Sequence, residues 1–322
     1  MTISDTGACG AAVPAQPALT IPEHGGPVPR AWDEAERIAL WPGTPPGGTF
    51  AAAERDPSLP PTFLTGIAAP ELRLFQPLPG MRNGRALLVI PGGGYGFVSI
   101  RNEGADVAAL FTAAGYTVFV LVHRLPGEGW CPRETAPLAD ARRAMRVIAA
   151  QASLLAFDPQ QVAVIGFSAG GHLAATLLTA AALPDDAGVG DAIDQLTPRA
   201  RCAALVYPVT TLDGAHAHGG SAKALLGPTP DPAMRAALSP VERIAPATPP
   251  LFIAHALDDA IVPAANALEL FTAMHAANRP VEMHLHEEGG HGYGIGPADA
   301  PAGLWPLAFL RFLERHMAAA RP

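Results

Sequence analysis

Lysine is almost absent from this chain of 322 residues: Lys223 stands alone, and arginine carries nearly all the positive charge. Only 16% of the residues are charged, the formal net charge is −8, and no basic block is present that could track a phosphate backbone. That argues against nucleic acid as a partner. Cysteine is scarce as well. Cys9, Cys131 and Cys202 are widely spaced, odd in number and free of any CxxC, so neither a disulfide framework nor a zinc cluster is signalled, and one bridge is the most they allow. No apolar run is long enough to span a membrane, and the opening residues lack a basic stretch followed by an apolar core. The expectation is a chain without an export signal, cytoplasmic by default, and periplasmic or secreted only if its N-terminus was processed or truncated.

What is present is apolar. With 49% hydrophobic residues and ample length to bury a core, the chain is globular rather than disordered. Residues 1–66 are rich in proline, glycine and alanine, with little periodicity beyond a short helical pattern around Trp32 to Leu40. They read as an N-terminal arm wrapping a domain that occupies residues 67–322, the first twenty or so being mobile. The segment Trp41 to Gly47, WPGTPPG, cannot be helix or central strand, because proline removes donors and fixes φ.

Beyond the arm, short apolar runs alternate with helical patterns. Glu71 to Phe75 reads as an edge strand, Ala86 to Ile90 as an apolar run of strand length, and Tyr116 to Val122 as a strand buried on both faces. Cys202 to Tyr207, Leu251 to His255 and an exposed edge, Val281 to His286, complete the set. Helical patterns cover Glu103 to Ala114, the stretch opened by Pro137, Asn266 to Ala277, and a last amphipathic segment with Leu307, Leu310, Leu313 and Met317. Pro184 to Pro198 is acidic and irregular, and Leu212 to Leu226 reads as a loop. This succession, without internal repeat, predicts one α/β domain with a doubly wound, mostly parallel sheet.

The stretch Val162 to His172, VAVIGFSAGGH, is strand, sharp turn and helix in eleven residues. A serine on such a turn sits in a strained conformation, and its neighbours two positions away must be small, as Gly166 and Gly170 are. By composition alone a GxSxG would be expected only about 0.07 times here, so chance is a poor account of it. The turn lifts the Ser168 hydroxyl clear of the sheet and leaves the Ala169 N–H at a helix start, where anions are favoured.

Hydroxyls are weak nucleophiles at neutral pH and need a base and a group to orient that base. Two later strand ends offer them: Asp258 or Asp259 after one, His291 among glycines after the next, giving the order Ser, Asp, His. His284 and His286 lie on an alternating strand, and His172 and His255 read as packed residues. Upstream, Pro91 to Gly96, PGGGYG, follows a strand directly. The dinucleotide spacing fails and no Gly-Lys-Ser/Thr follows, so donors for an oxyanion are favoured over a phosphate cradle or a purely structural turn. Gly93 and Gly94, with Ala169, are the candidate donors. Tyr95 and Trp130 are the candidate substrate contacts, Trp130 reading equally well as packing. His216 and His218 could in principle ligate a metal, but no carboxylate or thiolate stands at matching spacing, so a solvated loop is the better reading.

WPGTPPG, PGGGYGFVS from Pro91, GFSAGGHLAA from Gly166, HALDDAIVP from His255 and GGHGYG from Gly289 together resemble the acetylxylan-esterase-like and xylanase-B-like α/β-hydrolases. The resemblance runs from about Trp41 to the C-terminus. One departure is Pro91, where many lipases and esterases have histidine, although backbone donors do not depend on it. HALDDAIVP is similar to the pattern HGxxDxxVP, and that similarity selects Asp259 as the acid. The resemblance implies a serine esterase with Ser168, His291 and Asp259 as its triad and no cofactor, acting on short acyl, chiefly acetyl, esters of a carbohydrate such as xylan. A serine peptidase of the same fold, or a binding protein on it, are the alternatives; no propeller-like N-terminal domain fits in this length.

Overall fold

A computed structural model describes residues 27–52, 54–179 and 188–317. The mobility expected of the first twenty residues, Cys9 and the start of the acidic stretch from Pro184 fall outside these. The strands are β1 (Glu36–Ala39), β2 (Phe63–Leu64), β3 (Glu71–Phe75), β4 (Ala86–Ile90), β5 (Val98–Ser99), β6 (Thr117–Val122), β7 (Val162–Phe167), β8 (Ala203–Val206), β9 (Leu251–Ala256) and β10 (Val281–His286). The helices are α1 (Arg30–Glu34), α2 (Asp106–Ala113), α3 (Ala136–Leu155), α4 (Ser168–Thr179), α5 (Gly219–Leu226), α6 (Pro232–Ala237), α7 (Ala265–Ala276) and α8 (Trp305–His316).

Eight strands form one sheet in the order β1-β3-β6-β4-β7-β8-β9-β10. β1 and β3 are antiparallel to their neighbours, and every pairing from β6 to β10 is parallel. The reason for the unbroken apolar runs is visible in β4. Leu88 and Ile90 point into a core shared with α3, α4 and α7, while Leu87 and Val89 point into another shared with α2 and α8. Both faces are dry, so no position in the strand can be polar. This is the α/β-hydrolase fold.

Tertiary context overrides local pattern in several places. The helical pattern at Trp32 to Leu40 splits into α1 and the strand β1, because β3 offers an open edge that β1 pairs antiparallel, with Arg37 bonded to Glu71 at 2.7 Å. β3 is therefore internal rather than an edge. Residues 36–39 thus supply part of the sheet, and Trp41 beside them is buried. Within Leu212 to Leu226, the last eight residues form α5, with Ala222, Leu225 and Leu226 buried. The apolar face of α8 is Trp305, Phe309, Phe312 and Leu313; Leu307 is 64% exposed. Leu313 and Met317 are buried as the pattern suggested, and Trp305, Phe309 and Phe312 complete the core side. Cys131 and Cys202 are both free.

In a parallel sheet the chain leaves every strand on the same edge, so the ends of β4, β7, β8, β9 and β10 converge there from distant parts of the sequence.

Candidate active site

At the end of β7 the chain turns at Ser168 with φ 50°, a conformation costly for a residue with a side chain. The turn has room for nothing larger than glycine on either side. A Cβ on Gly166 would lie 2.5 Å from Ala174 Cβ, and one on Gly170 2.3 Å from the Ile90 and Pro91 carbonyl oxygens. Tight contact with β4 and α4 holds the strained residue in place, and Ser168 Oγ is directed at the loop after β10. There His291 Nε2 lies 2.9 Å away.

The other ring nitrogen, His291 Nδ1, lies 2.7 Å from Asp259 Oδ2. An ionised carboxylate can only accept, so Nδ1 carries the proton and Nε2 is free to accept from the serine hydroxyl. Asp259 is fixed from four sides: Oδ1 accepts the Ile261 and Val262 N–H groups at 2.9 Å each, and Oδ2 accepts from His255 Nε2 at 3.2 Å as well as from His291. Burial works against its charge, but the bonds from His255, His291 and Val262 outweigh it and bring the carboxyl down to about 2. Asp258 is turned elsewhere. It accepts the Gly290 N–H at 2.7 Å and so anchors the loop that presents His291.

The glycine loop after β4 passes behind Ser168. Gly93 has φ 132° and Gly94 φ 60°, and a Cβ on Gly93 would meet the Phe97 carbonyl oxygen at 2.1 Å. Among the described residues no acceptor takes the N–H of Gly93 or Gly94. The Gly92 N–H, by contrast, is committed to Glu103 Oε2 at 2.7 Å. The loop thus presents two free donors, and Ala169 at the start of α4 adds a third.

Tyr95 and Trp130, the expected substrate contacts, are packed inside: Tyr95 is 3% and Trp130 4% exposed. Trp130 lies between Phe50, 5.9 Å between ring centres, and the Arg124 guanidinium, 4.8 Å from its ring. The Tyr95 hydroxyl is 2.7 Å from His172 Nδ1, and His172 Nε2 is 2.7 Å from the Leu238 carbonyl oxygen. Since that carbonyl can only accept, Nε2 carries the proton and Tyr95 donates to Nδ1. Burial brings His172 down to about 4, so it stays neutral in this role. His172 is thus packed, as is His255, and it pins the glycine loop. His216 is exposed, whereas half-buried His218 caps α5 by accepting the Ser221 N–H. Glu103 and Tyr207 escaped the sequence reading, where they were a helix start and a strand end.

An eight-stranded, mainly parallel sheet with Ser168, His291 and Asp259 in hydrogen-bonded series at its carboxyl edge defines an α/β-hydrolase. Within that class the chain belongs to the BD-FAE family, whose sequence model matches residues 72–274. It is 30% identical over 223 residues to an acetylxylan esterase of Xylanibacter ruminicola, covering 68% of this chain and 43% of that protein. It is 31% identical over 209 residues to endo-1,4-beta-xylanase B of Butyrivibrio fibrisolvens, covering 65% and 32%. The chain thus spans less than half the length of these two relatives. A crystal structure of an acetyl ester-xyloside bifunctional hydrolase from Caldicellulosiruptor lactoaceticus superposes with a TM-score of 0.73 at 31% identity, covering 87% of this chain and 96% of that one.

Proposed function

We propose that the chain is a serine carboxylic ester hydrolase for short acyl groups, chiefly acetyl esters on carbohydrate such as xylan. The observation that carries the reaction is the Ser168–His291–Asp259 series, with contacts of 2.9 and 2.7 Å beside a loop of free backbone donors. The substrate class rests on likeness to an acetylxylan esterase and to an acetyl ester-xyloside hydrolase.

His291 takes the Ser168 proton as Oγ adds to the ester carbonyl, and Asp259 holds the ring tautomer and steadies the imidazolium. The negative oxygen that develops is met by the N–H groups of Gly93, Gly94 and Ala169. Each such donor is typically worth about 3 kcal/mol in the transition state. Collapse of the adduct breaks the ester C–O bond, and His291 returns its proton to the leaving alcohol. Water, activated by the same imidazole, then splits the acyl-serine to acid and free enzyme.

Wild-type enzyme should release nitrophenol from nitrophenyl acetate with an initial burst, and Ser168→Ala should reduce hydrolysis to background. Equal rates in the two proteins would refute the reading. Release of acetate from acetylated xylan, measured beside propionyl and feruloyl esters, tests the substrate class separately.

A further inference from the structure

Between the glycine loop and the His291 loop lies a short π-helical turn, Arg101–Ala105, closed by the Ala105 N–H on the Ile100 carbonyl at 2.8 Å. Such turns are rare and recur at functional sites. Two of its side chains reach the machinery on either side. Asn102 Nδ2 donates to the Gly292 carbonyl at 2.8 Å, next to His291, and its Oδ1 accepts from Ser99 Oγ at 2.7 Å. Glu103, 4% exposed, accepts the Gly92 N–H on Oε2 at 2.7 Å and the Tyr207 O–H on Oε1 at 2.8 Å. The Tyr207 oxygen in turn accepts the Gly294 N–H at 3.0 Å. One carboxylate therefore joins the loop that carries Gly93 and Gly94 to the loop that carries His291.

We infer that Glu103, as a carboxylate, is a positioning residue of the proposed hydrolase: it fixes both loops and supplies a second negative charge, after Asp259, for the imidazolium of His291.

The donor accounting favours the ionised form. Gly92 N–H can only donate, and the Tyr207 oxygen is already accepting from Gly294. A protonated Glu103 bonded to that oxygen would leave the tyrosine hydrogen with no acceptor among the described residues. Burial pushes the Glu103 carboxyl up overall, and the bonds from Tyr207 and Gly92 and the nearby His291 offset only part of that rise. The space is tight. A Cβ on Gly92 would lie 2.8 Å from the Phe167 carbonyl oxygen, 2.9 Å from Ser168 Cβ and 3.0 Å from Glu103 Oε2, so no side chain fits at this position between nucleophile and carboxylate. The Tyr207 ring also lies tilted against that of His291, 4.9 Å between ring centres.

The groups facing His291 come from five elements: Ser168 from α4, Asp259 from the β9–α7 connection, Tyr207 from the end of β8, Glu103 from the π-turn, and His218 from the cap of α5. Glu103→Gln changes only one of these charges and keeps the shape. The amide keeps one acceptor oxygen where the carboxylate has two, so either the Gly92 N–H or the Tyr207 O–H loses its acceptor and the link between loops is weakened.

The test reads the titration of the His291 ring by NMR in wild type and Glu103→Gln, together with kcat and KM on nitrophenyl acetate. Loss of a neighbouring negative charge should move the ring's titration to lower pH by about half a unit or more. kcat should fall about tenfold or more while KM stays within about twofold. An unmoved titration, or a wild-type kcat, overturns the inference. Should Glu103→Gln fail to fold, Tyr207→Phe leaves the carboxylate but cuts the link to Gly294; its kcat should fall severalfold, and a wild-type kcat overturns the inference. The ring titration is read without substrate, so it decides the role of Glu103 even if no ester is turned over. Absence of hydrolysis by the wild type would count against the ester hydrolase reading alone.

Discussion

Two fully buried aspartates organise opposite tasks in this protein. Asp140, on α3, pairs with the Arg124 guanidinium at 2.9 Å and also accepts the Arg124 backbone N–H at 2.8 Å and Trp41 Nε1 at 2.9 Å. Arg124 extends the cluster to the Pro46 and Ala136 carbonyls, so a permanent charge ties the segment around Trp41 and Pro46 to α3. Asp259 faces two histidines and two backbone N–H groups instead. Arginine keeps its proton under all relevant conditions, whereas an imidazole can lose and regain one. The difference in partner, more than in burial, separates a fastening from a site able to move protons.

The sharpest way to break this contrast is Asp259→Asn. It preserves shape but favours the wrong His291 tautomer, and kcat on nitrophenyl acetate should fall about 10⁴-fold with KM little changed. A loss under tenfold would reduce Asp259 to a structural role like that of Asp140. Arg124→Met reverses the pattern. It leaves Asp140 buried without its charge partner, and urea unfolding should show a loss of roughly 3–5 kcal/mol, while kcat per folded molecule stays near wild type. A large kcat defect in the folded fraction would mean that the arm junction and the carboxyl edge are coupled.

The smallest effect is on acid stability. Folding lowers the Asp259 carboxyl from 3.8 to about 2. Its stabilisation is therefore complete above about pH 4 and disappears as pH falls through about 2. The shift is worth roughly 2 kcal/mol, so wild type should lose that much more stability than Asp259→Asn across this window in denaturant titrations at stepped pH. Parallel curves would show that His255 and His291 do not hold the charge.

Local pattern made much of this legible. A run such as Ala86 to Ile90 reads as a buried strand, and GFSAGG as a turn that tolerates no side chain two positions either side of Ser168. The arm was less legible, because β1 exists only where β3 leaves an edge to pair. Tyr95 and Trp130 misled for a related reason. An aromatic in a glycine-rich loop looks available, yet here His172 and Arg124, distant or displaced in sequence, draw both rings inward.

By itself, then, the sequence determined the alternation of elements, the strained serine turn and the residue types at each strand end, because these follow from periodicity and backbone sterics. Tertiary structure alone decided that Asp258 ties down Gly290, that Gly92 spends its N–H on Glu103, and that Glu103 reaches Gly294 through Tyr207. Those are contacts between loops brought to one edge by a parallel sheet, and no local pattern encodes which atoms converge there.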